Sequence, residues 1–166
     1  MNDRRLLNKP QRKLIIEKYS IDELIPHSEP MVLIDRIIDF DHDSLIAETK
    51  ITENSLFYHK ESIGVPSWVG IEYMAQAIAC FAGVQDKINN QPIKLGFLLG
   101  TREYKISKNI MVLGCIYLIQ IKKLYMDDSG LASFECKILS DDEIYAEAKL
   151  NVFETDDIKI MIEKKP

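Results

Sequence analysis

The sequence of 166 residues predicts an α+β fold in which an antiparallel β-sheet wraps around one long central helix. The first observation is one segment, residues 67–87, that is typical of a helix and carries apolar residues around its whole axis. The second is the order of the β-rich segments, which lie both before and after this helix. The third is an apolar and polar alternation in the last segments, typical of a sheet with one buried face. Such a helix is buried on most sides only if the sheet curls around it.

The helix is predicted from Ser67 because Pro66 suits a first helical turn, and only Gly70 and Gly83 interrupt the pattern up to Lys87. Its apolar residues do not form a single stripe. They are Trp68, Val69, Ile71, Met74, Ala75, Ala77, Ile78, Ala79, Phe81, Ala82 and Val84.

The predicted strands fall into two groups. Residues 31–40 and 44–52 form a hairpin, and residues 93–106, 110–126, 131–139 and 144–153 form a meander with turn-prone residues at each junction. We therefore divide the chain into an N-terminal arm or short helix (1–20), one domain (21–154) and a C-terminal tail (155–166).

Composition excludes several classes of protein. A hydrophobic content of 46% fits one compact domain, and a net charge of -5 argues against nucleic acid as the main partner. No apolar run approaches the roughly 20 residues of a membrane span, and the basic N-terminus is unlike a secretory signal, so we expect a cytoplasmic protein. The three cysteines lack metal or redox spacing and are expected to be reduced thiols.

Glu72 is the residue that most needs an explanation, because a carboxylate in an apolar helix is costly unless it is paired, protonated or used in chemistry. Gln76 lies four residues later on the same helical face. His59 precedes the helix. His27, His42 and His59 lie in separate segments, which predicts no metal site. We expect His27 to be structural and His42 to lie on a turn surface.

Two motifs connect this sequence to a known family. The segment LIPHSEPMVLIDR (24–36), followed by VPSWVGIEYMAQ (65–76), resembles the hotdog-fold 3-hydroxyacyl-[acyl carrier protein] dehydratases. The resemblance covers about residues 21–153. GIEYMAQA (70–77) together with LGFLLGTR (95–102) is most similar to the ApeP-like dehydratases of aryl polyene biosynthesis clusters. The fold implied is the hotdog fold.

The sequence departs from the family pattern near the histidine. Tyr58 precedes His59 where the family has glycine, and Lys60 and Glu61 follow it where the family has Phe-Pro. The loop from His59 to Glu72 is one residue shorter. Ser67 replaces the usual glycine.

The resemblance implies the dehydration of a 3-hydroxyacyl thioester to a trans-2-enoyl thioester, in fatty-acid or aryl polyene-type chain elongation. His59 is expected to be the base and Glu72 the acid, since apolar surroundings favour a protonated carboxyl. Backbone N–H groups from Ser67 onward would stabilise charge on the thioester oxygen, and Gln76 would orient Glu72.

The resemblance also implies partners. The substrate would arrive on the phosphopantetheine of acyl carrier protein, without any other cofactor or metal. Carrier proteins are acidic, so Arg102, Lys105 and Lys108 are candidate contacts. A dimer is expected, either a homodimer or a heterodimer with another hotdog dehydratase, with two sheets joined edge to edge and each site shared between subunits.

Two alternatives remain open at this stage. The chain could be a non-catalytic hotdog subunit that completes a heteromeric dehydratase, which the altered histidine loop favours. It could also be an acyl thioesterase, because hotdog domains hydrolyse thioesters with a carboxylate on the same helix and a fold alone does not define an activity.

Overall fold

A computed structural model describes residues 7–155 of the protein. Two helices and eight strands follow one another along these residues, with short 3₁₀ turns at Ile21–Glu23 and Ser67–Val69. The elements are α1 (Lys9–Lys18), β1 (Arg36–Phe40), β2 (Ser44–Lys50), β3 (Gly64–Pro66), α2 (Gly70–Ile88), β4 (Leu95–Ile106), β5 (Ile110–Val112), β6 (Ile116–Met126), β7 (Leu131–Ser140) and β8 (Glu143–Thr155).

Six of the strands form one antiparallel sheet in the order β1-β2-β6-β7-β8-β4, and β3 pairs with β5 in a separate small sheet. The predicted α+β hotdog architecture is confirmed. The alternation predicted for the last strands is also present, because Phe134, Cys136 and Ile138 on β7 are buried while Glu135 is exposed. This buried face packs on α2, where Phe81 meets Phe134 edge to face at 5.8 Å between ring centroids.

The central helix is buried on nearly all sides, as its sequence predicts. Every residue from Gly70 to Ile88 is buried or half-buried. The start differs from the prediction, because Ser67–Val69 form a 3₁₀ turn before the α-helix begins. The half-buried residues of this helix include Ile71, Glu72, Ala75, Ala79 and Ala82.

The two helical glycines mark places where other segments approach the helix closely. A Cβ on Gly83 would lie 1.9 Å from the carbonyl oxygen of Leu24, and a Cβ on Gly70 would lie 2.3 Å from the hydroxyl of Tyr104. Neither position has room for a side chain. These glycines therefore allow the packing of the helix instead of interrupting it.

Two predicted strands are shorter in the structure. The predicted strand 110–126 is broken after Val112, because β5 pairs with β3 whereas β6 pairs with β2 and β7. The chain changes sheets between them at Gly114, whose φ is +83°. The first predicted strand begins only at Arg36, and the residues before it form hydrogen bonds with side chains of α2 and β2.

The N-terminal segment contains the short helix α1, which starts with a capping box between Asn8 and Gln11. Arg12 anchors it to β1 through two hydrogen bonds to the carboxylate of Asp39, at 2.9 and 3.2 Å. Residues 1–6 of the predicted arm and 156–166 of the predicted tail lie outside the described residues, and the predicted domain boundaries stay predictions. No helix within residues 7–155 has the length and apolar character needed to cross a bilayer.

Candidate active site

A buried amide holds the carboxylate of Glu72 in place. Gln76 is completely buried, and its Nε2 donates a hydrogen bond to Oε1 of Glu72 over 2.8 Å. The four-residue spacing on the helix makes this contact possible. The expected hydrogen bond is therefore present, and Oε2 of Glu72 has no hydrogen-bond partner within residues 7–155.

Gln76 also fixes the segment that crosses the helix. Its Nε2 donates to the carbonyl of Met31 at 2.7 Å, and its Oε1 accepts the N–H of Leu33 at 2.8 Å. Thr49 on β2 donates to the carbonyl of Leu33 at 3.0 Å. The loop from 24 to 35 is thus fastened to the first half of α2 by side-chain amide and hydroxyl groups.

His27 lies on this loop and contacts Glu72. Its Nε2 is 3.5 Å from Oε1 of Glu72, and both side chains are about one-third exposed. From sequence we expect only a structural role for His27, because a contact across 45 residues leaves no local pattern. The one sequence signal was its place in the LIPHSEPMVLIDR motif.

His59 lies at the start of a tight turn that leads toward α2. Its backbone pairs with Gly64, with His59 N–H donating to the Gly64 carbonyl at 2.9 Å and the reverse bond at 3.3 Å. β3 and the 3₁₀ turn then lead directly to Glu72. The imidazole is exposed and makes no ion pair with any described carboxylate of its own chain.

Ser67 is buried, and its backbone is already engaged. Its N–H donates to the carbonyl of Asn109 at 2.9 Å, and its own carbonyl accepts from the hydroxyl of Tyr104. The predicted oxyanion donors must therefore come from the residues that follow Ser67. Its Oγ is buried without a hydrogen-bond partner among the described residues. Burial raises the pKa of Tyr104 to about 12, so its hydroxyl remains a donor at neutral pH.

The three candidate carrier-protein contacts lie on β4 and the turn after it. Lys105 pairs with Glu103 at 3.5 Å, and Lys108 pairs with Glu143 at 3.2 Å. Arg102 and Lys105 line an open groove of about 510 Å³ that also contains acidic side chains, namely Glu103, Glu135 and Glu147. This surface has mixed charge within one chain.

Apolar side chains are exposed around the start of α2. Trp68 is 59% exposed and stacks edge to face on Phe57, with 6.2 Å between ring centroids. Ile63 and Val112, at one end of the small β3–β5 sheet, are also exposed. We name Ile63, Trp68 and Val112 the apolar rim; it lies beside the His59 turn.

The cysteines form no chemical cluster. Cys80 and Cys136 are buried, and burial raises the pKa of each thiol to about 12, so both are neutral at physiological pH. Within residues 7–155, no three His, Cys, Asp or Glu side chains lie together in an arrangement that could hold a metal ion.

Comparison with known proteins places this arrangement in a family. The model of the ApeP-like family, described as ApeP dehydratase, matches residues 19–163. The 3-hydroxyacyl-[acyl-carrier-protein] dehydratase FabZ of Anaeromyxobacter dehalogenans (strain 2CP-C) is 33% identical over 94 residues, covering 54% of this chain and 60% of that protein. FabZ of Streptococcus sanguinis (strain SK36) is 32% identical over 99 residues, covering 58% of this chain and 69% of that protein.

A solved structure agrees with the sequence relatives. The dehydratase heterocomplex ApeI:P from Xenorhabdus doucetiae contains a chain that superposes with a TM-score of 0.81 at 26% identity, over 89% of this chain and 99% of that chain. The match of the family model over most of the sequence and this superposition confirm the resemblance drawn from the two motifs. The chain belongs to the ApeP-like dehydratase family.

Proposed function

We propose that this protein dehydrates a 3-hydroxyacyl thioester carried on acyl carrier protein, giving the trans-2-enoyl thioester in fatty-acid or aryl polyene-type chain elongation. The observation that carries the proposal is the state of Glu72. Its carboxyl group lies in the first turn of a buried helix, with Oε1 held by Gln76 and Oε2 without a hydrogen-bond partner among residues 7–155. A fixed carboxyl with one free oxygen is suited to donate a proton in a defined direction.

The reaction needs two opposite proton transfers. His59, as the neutral imidazole, takes the proton from the carbon next to the thioester carbonyl, and the electron pair left behind forms the new double bond. The bond between the β-carbon and its hydroxyl breaks as Glu72 gives its proton to the leaving oxygen, which departs as water. His59 ends protonated and Glu72 ionised, and a proton exchange with solvent returns both to their starting forms. These steps need only side chains and the bound substrate.

His59 and Glu72 would meet across two subunits. One chain leaves His59 without a carboxylate partner and leaves the apolar rim exposed, both next to the start of α2. The strand β4 is also an open sheet edge of 12 residues, with Leu98 and Leu99 exposed. A second hotdog subunit joined along this edge would cover these residues and bring its histidine to Glu72.

The acyl chain would lie along the half-buried side of α2. From Glu72, the half-buried residues along one side of the helix include the small Ala75, Ala79 and Ala82. At the far end of the helix, a cavity of about 180 Å³ combines apolar residues such as Phe81, Ala82 and Phe134 with charged groups. A helix side made of small residues leaves room for a narrow aliphatic or polyene chain between two subunits.

The carrier protein would dock near the mouth of this site. Arg102 is the strongest of the three candidate contacts, because Lys105 and Lys108 already pair with acids of this chain. A cytoplasmic location follows from this reaction, since the phosphopantetheine-linked substrates of carrier proteins are made there.

The test is an assay of the purified protein with a 3-hydroxyacyl thioester on carrier protein, followed by mass spectrometry of the product. The enoyl thioester supports the proposal. Glu72→Gln and His59→Ala are each expected to abolish enoyl formation without loss of fold. The matched controls are Glu17→Gln on α1 and His42→Ala on the β1–β2 turn, which are expected to keep full activity.

The main alternative is a non-catalytic subunit of a heteromeric dehydratase. The exposed His59 and its altered flanking residues favour it, and the neighbour from Xenorhabdus doucetiae is itself named as a heterocomplex. This alternative predicts that enoyl formation appears only when a second hotdog protein is co-purified. It also predicts that the activity survives His59→Ala in this chain. Release of free acid from the thioester would instead indicate a thioesterase.

A further inference from the structure

We infer that His27 is a positioning residue for Glu72, which it holds with Gln76 so that the transferable proton lies on Oε2. The inference rests on the proposed function, because it assigns His27 a role in the proton donation by Glu72. The sequence motif alone gave His27 no such role.

The loop that carries His27 is fixed at both ends, so the imidazole has a defined position. On one side, the carbonyl of Leu24 packs directly on Gly83, and Leu24 is 1% exposed. On the other side, Met31 and Leu33 form hydrogen bonds with Gln76. A side chain placed by two such anchors stays in register with the helix, as a positioning residue requires.

The two ring nitrogens of His27 have different surroundings. Nε2 is 3.5 Å from Oε1 of Glu72, whereas Nδ1 is buried with no hydrogen-bond partner within the described residues. If the proton were on Nδ1, a buried N–H donor would have no acceptor. In addition, the lone pair of the unprotonated Nε2 would face a lone pair of Oε1, and the two would repel each other. The neutral ring therefore carries its proton on Nε2, the nitrogen that lies in contact with the carboxyl of Glu72.

Both contacts of Glu72 reach the same oxygen. Gln76 Nε2 donates to Oε1 at 2.8 Å, and His27 Nε2 faces Oε1 at 3.5 Å. Gln76 donates a hydrogen bond to Oε1 and Nε2 of His27 lies in contact with the same oxygen, so the neutral carboxyl keeps its carbonyl character at Oε1 and its proton on Oε2. After the proton leaves, the Gln76 hydrogen bond and the adjacent His27 N–H stabilise the carboxylate. A proton relay through the ring does not fit, because Nδ1 has no access to solvent.

Other charged groups share the surface cavity that His27 lines. They are Asp22, Glu29, Asp35 and Arg36. None of them is in ion-pair contact with the ring, so Glu72 is the one carboxylate that His27 contacts within residues 7–155.

The kinetic test compares His27→Ala with His27→Gln in the complex that shows enoyl formation. Gln can place an amide N–H where the Nε2–H of His27 lies, whereas Ala removes the donor. We expect His27→Ala to lower kcat on the order of 10- to 100-fold with KM unchanged, because the lost contact acts on the reacting group. His27→Gln is expected to recover most of kcat. An unchanged kcat in His27→Ala, a change in KM alone or an equal loss in both variants overturns the inference. His42→Gln is the matched control.

A second measurement separates this inference from the proposed function. Long-range ¹H–¹⁵N spectra of the histidine rings, assigned with the single His→Gln variants, report which nitrogen carries the proton. We expect His27 in the Nε2–H form, with its ring signals displaced by Glu72→Gln. An Nδ1–H form, or no displacement, overturns the inference whatever the activity. Absence of enoyl product from the wild-type protein with the expected spectra contradicts the proposed function only.

Discussion

At the scale of single residues, Glu72 is set apart by the unequal use of its two oxygens. Oε1 faces Gln76 and His27, and Oε2 faces neither. The carboxylate of Glu17 on α1, by contrast, is more than half exposed and is paired with Lys13 at 3.6 Å. The position of the Glu72 carboxylate is therefore set by two neighbours, Gln76 on the same helix and His27 on a loop that is distant in sequence.

Ser67 tests whether a buried hydroxyl just before α2 lacks a hydrogen-bond partner. Its Oγ is buried without a partner, so Ser67→Ala removes a desolvated hydroxyl and is expected to raise the free energy of unfolding by about 1 kcal/mol. Ser140 is the matched control, because its buried hydroxyl donates to the carbonyl of Ile116 at 2.8 Å. Ser140→Ala should lower the free energy of unfolding by about 1 kcal/mol. Urea unfolding measures both, and a decrease for both variants would contradict the assignment.

At the scale of elements, other segments pack so closely against α2 at Gly70 and Gly83 that a side chain would clash there. The carbonyl of Leu24 packs against Gly83, and this contact also fixes the loop that carries His27. Helix propensity alone would favour alanine over glycine here by about 1 kcal/mol. The sequence keeps glycine because the packing of the loop on the helix outweighs that propensity.

Gly83→Ala is expected to destabilise the protein by about 1–3 kcal/mol, since the new Cβ would meet the Leu24 backbone and the loop must move. The control is Gly96→Ala on β4, where a Cβ meets nothing within 4 Å and stability should stay the same or rise slightly. Thermal or urea unfolding measures both. Equal stability of Gly83→Ala and the wild type would show that the loop does not pack as described.

The attachment of α1 to β1 gives a prediction about pH. Hydrogen bonds from Arg12 lower the pKa of Asp39 below its ordinary value of 3.8. The stabilisation is therefore present above pH 3.8 and is lost as the pH falls through the lower pKa of the folded state. Because Asp39 is 39% exposed, screening limits the contribution to about 1 kcal/mol or less.

The measurement compares wild type and Arg12→Met by urea unfolding at neutral pH and near pH 2. The variant should be less stable at neutral pH, and the difference should disappear in acid and shrink in high salt. Lys13→Met is the control, because its pair with Glu17 is more exposed and longer, at 3.6 Å. A difference that grows in acid would contradict this assignment.

At the scale of the whole molecule, the single chain leaves surface that a hotdog partner would cover. The edge of β4 is open, and the apolar rim is exposed beside the turn that carries His59. A long exposed strand edge with apolar side chains is uncommon in proteins that act as monomers. These two surfaces are therefore the places where we expect a second subunit to bind.

Leu99→Asp on β4 is expected to weaken the dimer, or the complex with a second hotdog subunit, by about tenfold or more, because a charge would be buried at the joined edge. Leu99 is 54% exposed in the single chain. Sedimentation velocity over a concentration series measures the change, and enoyl formation should fall with it. Leu14→Asp on α1, where Leu14 is 66% exposed, is the control and should change neither quantity. An intact complex with Leu99→Asp would exclude β4 as the joined edge.

Much of the fold could be predicted from the sequence, because it depends on local patterns. The helix around Glu72, the alternating strands and the Glu72–Gln76 contact all follow from spacings of two or four residues. The break between β5 and β6 was not predicted, since both segments are β-rich and it is their pairing with different strands that divides them.

The sequence by itself determined the central helix, the order of the strands, the family and the carboxylate at the start of the helix, because each of these depends on residues close together in the chain. Only the tertiary structure decided that His27 contacts Glu72, that Ser67 N–H is occupied by Asn109 and that Gly83 receives Leu24. These contacts join residues separated by 42 to 59 positions. Such pairs are set by how the loop and strands pack on the helix, and no local pattern encodes them.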